Sequence, residues 1–442
     1  MKKKSVNLGF RGWMLVVYLA TALMSYQVFT NYPLNILSDF YGGAQRVSTI
    51  YTAGAVIAVV IQVVLAGPIR KIKSIKKLSA ILGAVTLGLG LCIMLVPFSN
   101  VGLWQVCYGI ENIVSVLYAT FAVEILVGQW FPTRKGTVMG IATLAFPITN
   151  GMIGFFASSV YKNGDPEVFR AFLPFFLVAL AGWLIGQIFI RDYPEQCGCY
   201  RDNDRNMSPE AARAMLKEEQ ENKKTTVWTL LNTFRCRDFW LITLAVGGLV
   251  MFSVGLMTQT STIINTYEGS YTVLGGYQGI MVMVCILGCI GSYVIGLLDT
   301  KFGTKKAFMV SLLLMIAGGF IGSIPTAKML VLSLIFLALL NGASSNFALS
   351  IAAQYWRRED FSSVFAVINP ITNIMVAFGP MIIARLLYSR FGYQSIFLVI
   401  GIVGIIALIL AVAFRPSHVK EVDDRYRKAA GKPLDNVLEG RK

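Results

Sequence analysis

Two carboxylates, Glu111 and Glu124, interrupt an otherwise apolar stretch. They are the residues best suited by type to handle a proton. A carboxylate in such surroundings is costly unless it is paired, neutral or facing water, so it is a functional candidate by default. Burial disfavours the charged form, and proton uptake or release can therefore accompany a change of access to water. Glu111 shares a helical face with Ser115 and Tyr118, which suits a cavity wall. Glu124 lies about 20 Å further along the axis on a different face. Both are candidates for proton coupling. The alternatives are a structural hydrogen bond for Glu111 and an ion pair with Arg134 or Lys71 for Glu124.

Hydrogen-bonding residues recur in the same kind of context. Tyr18, Thr21, Ser25 and Tyr32 form one stripe of a helix, and such a stripe faces protein or water rather than lipid. A second set is Met257, Thr258, Gln259, Thr260 and Ser261. A third is Asn341, Ser344, Ser345, Asn346 and Ser350, some of which are small enough to let helices approach closely. Phe146-Pro147-Ile148-Thr149-Asn150 and Asn369-Pro370-Ile371-Thr372-Asn373 repeat one motif. Each proline frees a carbonyl one turn earlier, creating a kink and an acceptor. A conformational role for Pro147, Asn150, Pro370 and Asn373 is favoured over direct ligand contact.

The elements that must position these groups are apolar runs of about 20 residues, each able to cross a hydrocarbon core of about 30 Å as a helix. Twelve are expected, near 12–30, 47–68, 78–97, 104–127, 136–160, 170–190, 239–261, 274–298, 307–325, 330–353, 362–386 and 394–414. In lipid, backbone N–H and C=O groups must be satisfied internally, which excludes open strands and loops. Hydrophobic residues make up 55% of the 442 and charged ones 14%. A soluble chain carries about 25% charged residues. Mean hydropathy is +0.64. The expected fold is all-α and integral to the membrane.

The net charge of +16 is topological. Only Arg46, Lys162, Arg170, Lys328, Arg385 and Arg390 of the 39 Lys+Arg fall on one side of the alternating spans. The rest gather on the other, so both termini are expected in the cytoplasm of a cell whose plasma membrane holds the chain. Nucleic acid is not an expected partner. Lys2–Lys4 followed by the apolar stretch from Trp13 reads as an uncleaved first helix, because the later spans alternate correctly only if it stays. Seven cysteines and one histidine offer neither a disulfide framework nor a metal site, so no metal or cofactor is expected. The chain has no Gly-x-x-x-x-Gly-Lys-[Ser/Thr] nucleotide loop, which argues against an ATP-driven pump, and no enzyme constellation.

The longest polar segment divides the spans six and six. Four regions follow: a six-helix bundle over 1–190, a linker over 191–237, a second bundle over 238–415 and a basic cytoplasmic tail over 416–442. Within the linker, Ser208-Pro209-Glu210 reads as a helix start. Trp228, Leu230, Leu231 and Phe234 before Arg235 and Arg237 suggest a short amphipathic helix on the membrane surface. The proline motif repeats at an offset of about 223 residues, and a Gly-led basic loop (Gly67 to Lys71, then Gly296 to Asp299) at about 229. Together they point to two parallel repeats.

Gly296-Leu297-Leu298-Asp299-Thr300-Lys301-Phe302-Gly303-Thr304-Lys305-Lys306 resembles the loop signature of the major facilitator superfamily, and the likeness covers essentially the full length. It implies two pseudo-symmetric six-helix bundles and alternating access. It also implies a conformational role for Gly296, Asp299, Gly303 and Lys305 as a latch between the halves. The first-half copy departs, with a base where the acid belongs and Ser74 in place of glycine. Gln129-Trp130-Phe131-Pro132-Thr133-Arg134-Lys135-Gly136 and Arg191-Asp192-Tyr193-Pro194-Glu195-Gln196-Cys197-Gly198 resemble the oxalate/formate–monocarboxylate branch and bile-acid symporters. In this architecture the first, fourth, seventh and tenth helices line a central cavity. That makes Tyr18, Ser25, Tyr32, Tyr118, Gln259, Asn341 and Asn346 the substrate-binding candidates. The expected function is secondary transport of a small organic anion or metabolite by a monomer, coupled to protons. An anion exchanger and a bile-acid symporter are the alternatives.

Overall fold

Helix formation follows from where the chain must hide its peptide groups. In the computed structural model, which describes residues 8–65, 74–131, 135–160, 167–203, 208, 210, 226–266, 274–432 and 434, no strand occurs among the described residues. Among the described residues, eleven helices are long and apolar enough to cross a membrane. The tenth crossing is made in two pieces, Ala327–Ser344 and Phe347–Tyr355, which completes twelve. The others run through Gly9–Tyr41, Ala44–Leu65, Ile75–Leu95, Val101–Trp130, Lys135–Val160, Val168–Phe189, Arg237–Thr266, Tyr277–Phe302, Thr304–Gly322, Arg358–Leu387 and Gly392–Ala413. The all-α fold of twelve crossings expected from the apolar runs is the observed one. Their lipid faces are legible: Leu398, Ile402, Ile405, Ile409 and Val412 stand exposed at helical spacing on the twelfth.

Several helices depart from α geometry for local reasons. The first passes through π-helical turns at Gln27–Asn31 and Pro33–Leu37, the second of which begins at a proline lacking an N–H. The fourth carries a π segment at Tyr118–Val123. The fifth breaks between Ala142 and Ala145. Pro147 cannot donate to the Thr143 carbonyl, which instead accepts from the Phe146 N–H at 3.1 Å. The eleventh helix contains Pro370 and Pro380 and continues through both.

Each bundle is sealed on the side of the chain termini by the segment that follows its sixth helix. After Phe189, Asp192 accepts from the Ser74 hydroxyl (2.7 Å) and the Lys76 N–H (2.8 Å) at the start of the third helix. The Trp130 indole donates to the Arg191 carbonyl (2.9 Å), and Arg11 donates to the Cys197 carbonyl (3.0 Å). These contacts give the Gln-Trp-Phe and Arg-Asp-x-Pro-Glu stretches a structural explanation. After Ala413, the Arg415 N–H donates to Asp238 (2.7 Å), and Lys305 donates to the Phe414 carbonyl (2.6 Å) at a helix C-terminus.

Residues 416–442, expected as a tail, include a helix at Pro416–Ala429. Its Arg427 reaches Asp360 (2.7 Å) and Asp423 (3.1 Å), while Arg357 meets Asp423 (2.7 Å). The Trp228 indole donates to Asp423 (2.9 Å), and its ring packs on Trp356 and Tyr426. Trp228 is therefore buried against the second bundle. A helix does form at Leu230–Arg235, with Leu230, Leu231 and Phe234 exposed. The helix expected after Ser208 falls on residues 211–225, outside the described residues. So do Lys2–Lys4, Arg70, Lys71 and Arg134.

The bundles meet on the side away from the termini. Thr52 donates to the Ala377 carbonyl (2.7 Å), Asn35 to the Met257 carbonyl (3.1 Å) and Gln259 to the Ser48 hydroxyl (3.3 Å). Glycines make the fifth and eighth helices close neighbours. A Cβ on Gly154 would sit 2.9 Å from Gln278 Cα, and one on Gly288 would sit 2.9 Å from Pro147 Cβ. Gly154→Val should pry this seam apart, since overpacking costs about 1–3 kcal/mol. Labelling of Cys285 by an impermeant maleimide added on the far side is expected to rise about fivefold or more. Unchanged labelling would show that the seam closes without this contact.

Candidate functional site

Between the bundles, on the terminal side of the seam, lies a cleft with about 1110 Å³ of open space, its mouth included. The repeated proline motif lines it from both bundles. Phe146 and Asn150 line the cleft from the fifth helix, and Asn369 and Asn373 from the eleventh. The two helix breaks also meet here, with Asn346 donating to the Thr143 hydroxyl at 3.5 Å.

Among the described residues, seven carboxamides line the cleft: Gln27, Asn31, Asn150, Asn341, Asn346, Asn369 and Asn373. Two small networks hold several of them. In the first bundle Gln27 donates to Asn150 Oδ1 (3.1 Å) and Asn31 donates to Gln27 Oε1. In the second, Ser253 donates to Asn341 Oδ1 (3.2 Å) and Ser344 to Ser253 (3.3 Å). Apolar wall comes from Leu23, Met139, Val250, Val254, Met257, Phe365 and Val376. Glu124 is the sole ionisable carboxylate, and no lysine, arginine or histidine appears, among the described residues that line the cleft.

The sequence candidates divide sharply. Asn341, Asn346, Asn150, Asn373 and Glu124 are brought together in the cleft. Tyr18, Ser25, Tyr32 and Tyr118 lie inside the first bundle. Tyr18 packs on Tyr118 at 6.0 Å and closes over Gly186. Ser25 donates to the Ala22 carbonyl (2.8 Å), and Tyr32 donates to the Thr149 carbonyl. Gln259 sits in the seam. Glu111 is fully buried within the first bundle, with neither carboxylate oxygen hydrogen-bonded among the described residues. The π segment accounts for the split in the fourth helix. It shifts the register, so Thr120 and Glu124 face the cleft while Glu111 and Ser115 face inward.

The loop residues are placed within the second bundle. Asp299 accepts from the Thr304 hydroxyl (2.5 Å), and the Asp299 carbonyl accepts the Gly303 N–H (2.9 Å). Gly303 has φ +87°, which favours glycine, and Gly296 is exposed. Pro147 faces Gly288, and Pro370 is part-buried in its helix. Sequence reasoning missed Tyr26, Gln27, Asn31, Thr120 and Asn369. The readable signal was Gln27, Asn31 and Asn35, three carboxamides spaced by four in an apolar helix. Among the described residues, no group of three His, Cys, Asp or Glu is placed to hold a metal.

The fold has solved counterparts. The nucleoside transporter NupG matches at TM-score 0.62 and 14% identity over 92% of this chain and 98% of that one. The proton:xylose symporter XylE bound to 6-bromo-6-deoxy-D-glucose matches at 0.64 and 15%, over 91% and 94%. No curated protein sequence matches the chain. The sequence model of the Major Facilitator Superfamily matches residues 14–298 and again 277–439. Two repeated bundles, a cleft between them and a match running through both make this chain, a transporter and not an enzyme, a member of the major facilitator superfamily.

Proposed function

We propose that the chain is a secondary carrier that moves a small polar metabolite across the plasma membrane by alternating access, with both termini in the cytoplasm. The observation that carries this reading is the cleft itself. It sits between the repeats, takes equivalent residues from each, and is backed on the side away from the termini by a hydrogen-bonded seam. Rocking the bundles about this site would exchange seam and mouth, provided the solute binds both states. The lysine and arginine asymmetry supports the cytoplasmic placement of the termini. Glu124, the carboxyl in the cleft, is the group we assign to proton coupling.

The organic anion implied by the branch resemblance finds little support in this lining. An anion buried here would need a counter-charge, and the described lining offers none. The reading is tested without knowing the solute. Spin labels at Gln45→Cys and Ser389→Cys, in a variant free of the native cysteines, report the distance across the far side. Two populations, one longer, are expected in lipid. A single short one would sink alternating access.

A further inference from the structure

Two residues that line the cleft, one on each wall, each hold a buried amide atom without a partner among the described residues. Asn341 is 8% exposed, and its Oδ1 is occupied by the Ser253 hydroxyl at 3.2 Å, which leaves Nδ2 without an acceptor. Asn31 is 4% exposed; its Nδ2 is given to Gln27, which leaves Oδ1 without a donor. Both residues line the cleft. Leaving a buried amide group unpaired is costly, so each is a demand for a complementary group. Each amide is backed by a further polar contact. Ser253 is itself held by Ser344 at 3.3 Å, and Gln27 by Asn150 at 3.1 Å.

We infer that the solute is an uncharged molecule carrying both a hydrogen-bond acceptor, which Asn341 Nδ2 engages, and a hydrogen-bond donor, which Asn31 Oδ1 engages. Hydroxylated and carboxamide-bearing compounds meet both requirements. A carboxylate meets only the first, and it brings charge into a lining whose described residues hold no cation. The aliphatic and aromatic wall formed by Val254, Met257 and Phe365 covers the apolar body of such a solute. Discrimination by this pair is steep in principle, because the wrong solute leaves a buried group unsatisfied. The inference rests on the carrier reading above.

The test is flux into proteoliposomes of purified full-length protein with four radiolabelled probes. Uridine and xylose carry donors and acceptors without charge; oxalate and formate at neutral pH carry acceptors and negative charge. At least one neutral probe is expected to enter about tenfold faster than into protein-free vesicles, with both anions near background. Asn341→Asp, which keeps the shape and removes the donor, should cut that flux about tenfold or more. Asn31→Leu should do the same, and if it does not fold, the Asn341→Asp result decides alone. Faster entry of oxalate or formate than of either neutral probe overturns the inference, as does neutral flux that survives Asn341→Asp. Flux of none of the four, while the spin labels still show two populations, overturns the inference and leaves the carrier reading standing.

Discussion

Replacing Glu124 with Gln is expected to abolish uphill uptake while sparing exchange of solute across the membrane. Glu124 lines the cleft and sits four residues from Thr120, which also faces it. A carboxyl in that position sees water from whichever side the cleft opens, so it can load and release a proton with each switch. Coupling requires that proton and solute favour the same switch, and Gln cannot carry the proton. Accumulation driven by an imposed pH gradient should fall about tenfold or more, whereas counterflow without a gradient should stay within about twofold. Glu111→Gln is the matched control: that side chain lies inside the first bundle, away from the cleft. It should leave the ratio of driven uptake to counterflow unchanged. If Glu111→Gln uncouples and Glu124→Gln does not, the assignment is reversed.

Arg427→Ala is expected to destabilise the second bundle strongly. Arg427 and Asp360 are buried and 2.7 Å apart, and Arg427 also meets Asp423. Breaking a buried pair by removing one partner costs about 3–5 kcal/mol, because the other charge remains desolvated. The thermal midpoint should drop by several degrees, and the helix Pro416–Ala429 should become protease-sensitive. Replacing both partners, Asp360→Leu with Arg427→Met, should recover most of the loss, since no unpaired charge remains. Equal midpoints for Arg427→Ala and the native chain would show that the C-terminal helix does not depend on this contact. The network matters to the cleft because Asp360 lies near the start of the helix that carries Phe365, Asn369 and Asn373.

What could be read in advance depended on which forces act locally. The Pro-Ile-Thr-Asn repeat marked equivalent positions in two bundles, and Asn150 and Asn373 do both line the cleft. The polar stripe of the first helix misled because Tyr18, Thr21 and Ser25 serve packing, with Thr21 closing over Gly182. Inside a bundle, small hydroxyl residues let helices approach as readily as they line water. Gln27 and Asn31, which do line the cleft from that helix, sit in a π turn.

The amino-acid sequence alone determined the number of crossings, the internal duplication and the all-helical class, because hydrocarbon leaves a backbone few ways to satisfy itself. It also marked the segment after the sixth helix, though its role as a seal required seeing Asp192 on Lys76, and the matching seal after the twelfth, Arg415 on Asp238, came from the structure. Only the tertiary structure decided which carboxyl meets the cleft and which amide ends are left open. Those outcomes turn on helix register, shifted by single π turns, and on partners distant along the chain, 123 residues for Gln27 with Asn150 and 88 for Asn341 with Ser253. The C-terminal helix follows the same logic. Its charges read as a tail until Asp360 and Trp228, distant along the chain, pair with them.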